Sequence, residues 1–238
     1  MINLITVGTR EEMSSLAAEI FKKQIVGKPD TVLGLATGST PELLYKKLGE
    51  MCKRGEVDFS RVKTVNLDEY AGLDTSNDQS YRYYMNKNLF DRVNIKKENT
   101  NLPCGTASDL DASCAEYSAL LSKIGTRDIQ LLGVGNNGHI GFCEPGETLP
   151  TTTSVITLTD STINANSRFF ASKDLVPKKA LSMGIAEILD SKQIVMLACG
   201  KAKKAILMDA LSGRITTKNP ASMIQLHKNV TVIISENE

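Results

Sequence analysis

Apolar positions along this chain fall into two alternating rhythms. Short, nearly continuous apolar runs occupy Asn3–Val7, Thr31–Ala36, Val62–Leu67, Ile129–Val134, Gln193–Cys199 and Val230–Ser235, and these read as strands. Longer stretches with helical spacing separate them: Glu11–Ile25, Pro41–Cys52, Ser80–Phe90, Leu110–Ile124, Lys178–Leu189 and Lys201–Leu211. In the first, Met13, Leu16, Ala17, Ile20 and Phe21 share one side; in Lys178–Leu189, Ala180, Leu181, Met183, Gly184, Ile185 and Ile188 mostly do. Strands that are apolar throughout, rather than at alternate positions, are buried on both faces, as in a parallel sheet. The strand–helix alternation then predicts an α/β fold, doubly wound and Rossmann-like, with a mostly parallel sheet, helices on both faces and right-handed crossovers. No repeat, low-complexity tract or Pro/Gly/Ser linker divides the chain, so residues 1–238 read as a single domain. Only Glu144–Asp174 resists the pattern. It is long and rich in Thr and Ser, and its place beside a polar cluster predicts a lid.

Composition narrows the class. A formal net charge of +1 gives no field for non-specific nucleic-acid binding, so any phosphate recognition must be local. No apolar run is long enough to span a membrane, and the opening MINLITVGTREEM lacks the features of a secretory leader. The five cysteines, Cys52, Cys104, Cys114, Cys143 and Cys199, are scattered with no C-x-x-C pair. That argues against a structural zinc site and predicts a reducing, cytoplasmic setting.

Four constellations carry candidate chemistry. LGLATGST, Leu33–Thr40, opens into a helix at Pro41. Gly38 permits close backbone approach, Ser39 and Thr40 offer hydroxyls, and the first helical N–H groups lack partners, which together make an anion site. The loop has neither the Gly-Lys-Ser/Thr of a Walker loop nor G-x-G-x-x-G, which disfavours a nucleotide. Read more plainly, it is a helix start with Thr40 as N-cap. In VNLDEYAGL, Asp68 and Glu69 end a buried strand. Adjacent residues on extended backbone face opposite ways, so one carboxylate faces the crevice beyond the sheet, as a carbon base or as a loop acid capping the next turn.

The third, GVGNNGHIGFCEPG at 133–146, holds one of only two histidines. Ligands of open α/β sheets sit beyond the carboxyl ends of strands. His139 there could move protons near neutral pH, with Glu144 to orient it and support its charged form and Asn137 to accept a hydrogen bond from the imidazole. A glycine-rich turn with a structural histidine remains the other reading. Cys143, His139 and Asn137 also match the residue types of a cysteine hydrolase, but they lie within seven residues of one another, whereas such triads assemble from distant segments. Cys143 reads instead as a packing residue. The fourth constellation is basic: Arg168 in NANSRFF, and Lys201, Lys203 and Lys204 opening a helix after Gly200. Cations at a helix N-terminus oppose its dipole, and a bound phosphate reverses that sign. Solvated surface lysines are the plainer alternative.

Taken together, LGLATGSTPELLYKKL, VNLDEYAGL, QSYRYYMNKNLF, LLGVGNNGHIGFCEPG, NANSRFF and KALSMGIAEILD resemble, in order and spacing, the glucosamine-6-phosphate deaminase family. The resemblance implies a cofactor-free and metal-free enzyme that converts glucosamine 6-phosphate and water to fructose 6-phosphate and ammonia in amino-sugar catabolism. It implies His139 as the acid/base of ring opening with Glu144 and Asn137 beside it, and Asp68 as the base at C2. Gly38, Ser39, Thr40, Arg168 and Lys203 would hold the phosphate, with Lys204 the neighbour most easily confused with Lys203.

Two departures stand out. Many members carry aspartate where this chain has Asn137, leaving one fewer negative charge beside His139. Hexameric, allosterically regulated members are longer at the C-terminus, so a monomer or small homo-oligomer is expected, with a small-molecule phosphosugar and neither nucleic acid nor membrane as partner. The rival enzyme on this scaffold is 6-phosphogluconolactonase, which needs no carbon base. A sugar-phosphate sensor needs no acid/base set, and a DNA-binding helix-turn-helix would be expected ahead of it.

Overall fold

A computed structural model describes residues 2–237. The expected domain, 1–238, reaches one residue further at each end, and Met1 and Glu238 lie outside the described residues. The strands β1 (Ile2–Val7), β2 (Val32–Leu35), β3 (Lys63–Asn66), β5 (Thr100–Asn101), β6 (Ile129–Gly133), β9 (Ile194–Cys199) and β10 (Val230–Ser235) form one parallel sheet in the order β1-β10-β9-β6-β2-β3-β5. Every residue of β2, β9 and β10 is buried, as their unbroken apolar runs require. Helices α1 (Arg10–Gly27), α2 (Glu42–Lys53), α3 (Tyr81–Asn88), α4 (Leu110–Ile124) and α7 (Lys201–Ala210) fall within two or three residues of the spans expected from spacing. In α1, Met13, Ala17, Phe21 and Ile25 are buried, whereas Leu16 is 39% exposed and lies outside the core stripe. Thr9 and Glu12 close a capping box at its start.

The strand order locates the site. From β2 the chain steps outward through β3 to β5, then returns to the other side of β2 as β6 and steps outward again through β9 to β10. The winding reverses between β2 and β6. Loops leaving these neighbours at their carboxyl ends turn away from each other and leave a crevice.

A second sheet was not expected. The strands β4 (Asp68–Tyr70), β8 (Lys179–Ser182) and β7 (Ser154–Thr157) pair antiparallel in the order β4-β8-β7. The expected helix at Lys178–Leu189 is therefore two elements, β8 and a short α6 (Ile185–Leu189). Helical spacing was present, but β8 meets a partner strand on each side, and the Met183 N–H donates to the Leu67 carbonyl at 2.8 Å. Those non-local bonds override local propensity. The segment expected to be irregular, Glu144–Asp174, holds β7 and α5 (Asp160–Asn166). Tyr70, Phe142, Leu158 and Ala180 make a small core of their own beneath it.

At the opposite rim, the Asp128 carboxylate ties the strand starts together. It accepts from Val32 N at 2.8 Å, Thr31 Oγ1 at 2.9 Å, Lys28 Nζ at 2.7 Å and Lys192 Nζ at 2.9 Å. Burial alone pushes its pKa up, but the two lysines and the hydrogen bonds outweigh that and hold it below the ordinary 3.8. Its side chain is 2% exposed, whereas Lys28 and Lys192 are 40% and 63% exposed and well screened. Asp128→Ala should therefore cost about 3 kcal/mol, the low end for breaking a buried pair. A carboxylate with a depressed folded-state pKa stabilises fully above its ordinary value and loses that contribution as pH falls through the folded one. Urea unfolding should show wild type and variant well separated at neutral pH and converging in acid.

Candidate active site

Four loops leave the carboxyl rim around the β2/β6 crevice and enclose a cavity of about 320 Å³, within the range of small-molecule sites. After β2, Gly38 adopts φ +90°, a conformation open to glycine, and its carbonyl accepts from Tyr84 Oη at 2.6 Å. Pro41, not Thr40, occupies the N-cap of α2, and no side chain caps its first turn. The N-cap reading of Thr40 is thereby corrected: its hydroxyl instead accepts from Lys203 Nζ at 3.4 Å. Gly38, Ser39, Thr40, Arg168 and Lys203 all line the cavity. The Arg168 guanidinium, just beyond α5, lies 4.7 Å from the centroid of the Phe169 ring. Lys204 points away and pairs with Glu236 at 2.8 Å, which separates it from Lys203.

The two acids after β3 part as extended backbone requires. Glu69 turns from the cavity and accepts backbone N–H bonds from Tyr70, Tyr81 and Arg82 at 2.8–2.9 Å, holding the start of α3. Asp68 lines the cavity and is 6% exposed. Burial, reinforced by the neighbouring charge of Glu69, pushes its pKa up to about 8. Glu69 shares the upward direction from burial, opposed by its three N–H donors.

After β6 the chain closes a tight loop in which Gly135 N donates to the His139 carbonyl at 2.9 Å. The imidazole packs against Gly135, where a Cβ would sit 2.2 Å from its Cε1, so no larger residue fits. His139 lines the cavity, while Asn137 and Glu144 stand behind it. Glu144 Oε2 lies 3.5 Å from His139 Nδ1 and accepts from Asn137 Nδ2 at 2.8 Å. Asn137 was expected to accept from the imidazole; instead its Oδ1 takes the His139 backbone N–H at 3.2 Å, and its amide donates to Glu144. The loop curls so tightly that the side chain meets backbone rather than ring. Burial would raise the Glu144 pKa, but His139, Thr162 and Asn137 overcome it and hold it down to about 2.

Thr162 was not foreseen. Its hydroxyl donates to Glu144 Oε1 from α5, and it is 3% exposed. Nothing local marks one threonine of a Thr-rich stretch; only the folding of α5 over the loop selects it. Tyr81 and Phe142, stacked with centroids 6.0 Å apart, supply an apolar wall. Cys143 is buried, its thiol pKa pushed up to about 12 first by burial and then by Asp68, which removes any thiolate reading. Among the described residues, no three His, Cys, Asp or Glu side chains gather as ligands for a metal ion.

Residues 9–233 match the family model for glucosamine-6-phosphate isomerases/6-phosphogluconolactonase. The chain belongs to this family. A glucosamine-6-phosphate deaminase of Thermoanaerobacter sp. (strain X514) is 54% identical over 98% of this chain and 92% of its own length. The deaminase of Clostridium beijerinckii is 53% identical over 99% and 97%. A solved monomeric glucosamine-6-phosphate deaminase superposes with a TM-score of 0.95 at 46% identity, covering 98% of this chain and 97% of that one. A 6-phosphogluconolactonase of Thermotoga maritima, 19% identical with a TM-score of 0.78 over 99% and 100%, shares the fold.

The two carboxylates, Asp68 in the cavity wall and Glu144 behind His139, have environments that predict separate titrations. By carbon-13 NMR of the carboxyl groups, the Asp68 signal should titrate near pH 8 and vanish from the spectrum of Asp68→Asn. Glu144 should stay ionised down to about pH 2. An Asp68 titrating in the ordinary carboxylate range would contradict the burial argument.

Proposed function

We propose that this protein converts glucosamine 6-phosphate and water to fructose 6-phosphate and ammonia, and that Asp68, His139, Glu144 and Asn137 carry the chemistry. One observation supports this above all: a buried carboxylate, Asp68, and an imidazole backed by a carboxylate, His139 with Glu144 behind it, meet at the same cavity as the cationic side chains Arg168 and Lys203. Lactone hydrolysis has no use for the first of these.

The phosphate rests on the Gly38–Ser39–Thr40 turn, Arg168 and Lys203. It does not react, so its binding energy goes into placing C1 and C2. His139 takes the proton of the C1 hydroxyl and returns it to the ring oxygen, which opens the pyranose to the aldehyde. Glu144, ionised at every working pH, stabilises the imidazolium in between, and Asn137 and Thr162 hold that carboxylate in place. Asp68 then removes the C2 proton while O1 takes a proton from the substrate's own ammonium group, giving a 1,2-enolamine; Asp68 returns its proton to C1, leaving the 2-iminium. Water adds to the iminium and ammonia leaves, giving the ketose. Burial that raises the proton affinity of Asp68 makes it a stronger base once ionised. The segment carrying α5 supplies both Thr162 and Arg168, so phosphate binding draws it closed over the sugar and excludes water.

Among the described residues, no helix is long and apolar enough to cross a membrane. The cysteines are all free thiols, which fits the cytoplasm. The likeness to a monomeric relative supports a monomer, with a small homo-oligomer as the alternative that sedimentation would reveal.

A coupled assay with glucosamine 6-phosphate should yield equal amounts of fructose 6-phosphate and ammonia; lactonase activity without ammonia would refute the reading. Asp68→Asn should abolish exchange of the C2 proton with solvent while sparing substrate binding. His139→Gln should slow turnover by on the order of 10²–10⁴, and less when the substrate is already open. Because Asp68 must be ionised to act, kcat/KM should rise with pH through about 8.

A further inference from the structure

Arg10 belongs to none of the motifs that mark the site. It is the first residue of α1, far in sequence from the loop after β2. In the fold its guanidinium reaches that loop and lines the cavity beside Ser39, Arg168 and Lys203. Arg10 Nη2 donates to the Ser39 carbonyl. Its Nε is buried and has no hydrogen-bond partner. A buried donor on a charged group that lacks an acceptor is costly, and the side chain that carries it lines the cavity beside two other cations.

The neighbouring carboxylate does not satisfy it. Glu42 Oε2 lies 3.8 Å from Nη2, and the Glu42 side chain is 47% exposed, so the contact is a long, well-screened ion pair. Arg10 also stands at the start of α1, where a cation opposes the helix dipole and Glu11 and Glu12 favour it. An anion in the cavity would offset the first of these and complete the fork of donors that a guanidinium presents to phosphate.

We propose that Arg10 is a third cationic ligand of the substrate phosphate, supplied by α1, and that its bond to the Ser39 carbonyl holds the loop in its anion-binding form. The assignment rests on the phosphate site of the preceding section but not on the reaction performed there. Arg168 arrives on the segment over the cavity and Lys203 on α7, whereas Arg10 arrives on α1, which packs directly on the central sheet. It therefore belongs to the rigid part of the site and engages the phosphate before any closure. Three cations around one group also favour the dianion over the monoanion, so affinity should fall as pH drops below the second phosphate pKa of about 6.

The test is calorimetric binding of inorganic phosphate and of fructose 6-phosphate to wild type, Arg10→Gln and Arg10→Lys, beside binding of unphosphorylated glucosamine. Arg10→Gln should weaken both phosphate ligands by on the order of tenfold and leave glucosamine unmoved. Arg10→Lys should restore part of the loss, since it returns the charge without the fork. Equal weakening of phosphate and glucosamine would mean that Arg10 only props the loop. Unchanged phosphate affinity in Arg10→Gln would overturn the assignment outright. Since no turnover is required, Arg10-dependent phosphate binding by a protein that releases no ammonia would leave this inference standing and sink the proposed reaction instead. Should Arg10→Gln fold poorly, Arg10→Lys alone decides: its phosphate affinity must fall below wild type.

Discussion

The parting of the loops that follow β2 and β6 is the constraint on which the rest of the structure depends. Both strands run the same way, side by side in the middle of the sheet, yet the chain leaves β2 toward one edge and β6 toward the other. Backbone cannot fill the gap between two diverging loops, so a crevice opens at the carboxyl rim. Everything with chemical content meets there. The turn from β2 brings Gly38–Thr40, the end of β3 brings Asp68, the loop after β6 brings His139, and α7 brings Lys203 from beyond β9. The opposite rim has no divergence to exploit. Its polar groups are spent on stability, as the four hydrogen bonds to Asp128 show.

Within the crevice, burial acts on two carboxylates with opposite results. Asp68 and Glu144 both lose water. Glu144 keeps its charge because an imidazole, an amide and a hydroxyl replace the lost solvation. At Asp68 the lost water and the charge of Glu69 both act in the same direction, and its proton is held more tightly. Glu144, which the proposed reaction asks to stay charged throughout, sits in a cradle of donors. Asp68, which the same proposal asks to take and release a proton, does not. Pushing apart the proton affinities of two acids in one site is the general means by which a fold runs acid and base steps at a single pH.

The small antiparallel sheet is what joins the two acids. β4 begins at Asp68 and pairs with β8, and β8 pairs with β7. The chain leaves β7 for α5, from which Thr162 reaches Glu144 and beyond which Arg168 enters the cavity. A displacement of α5 is thus felt at the carboxylate behind the imidazole and at the cationic wall together. Under the proposed function, phosphate contact and acid/base geometry would share one mechanical element, through which binding energy at an inert group could be converted into alignment at C1 and C2.

The central sheet was legible because its signal is local. Unbroken apolar runs such as Val230–Ser235 can be satisfied only by burial on both faces, and that requirement is written in the residues themselves. The capped start of α1 and the parting of Asp68 from Glu69 are likewise fixed by neighbours in sequence. Lys179–Ser182 was illegible as a strand because its apolar spacing fits a helix equally well; its two pairing partners lie far away in sequence. Thr162 and Arg10 carried no mark at all. A threonine hydroxyl or an arginine on a helix start is ordinary until another segment is laid against it. The amino-acid order alone determined the elements of the central sheet and its covering helices and which loops carry reactive groups, because those follow from contacts a few residues apart. Only the tertiary structure decided which side chains meet, which carboxylate keeps its charge and which cations line the cavity, because desolvation and pairing depend on what packs from the far side.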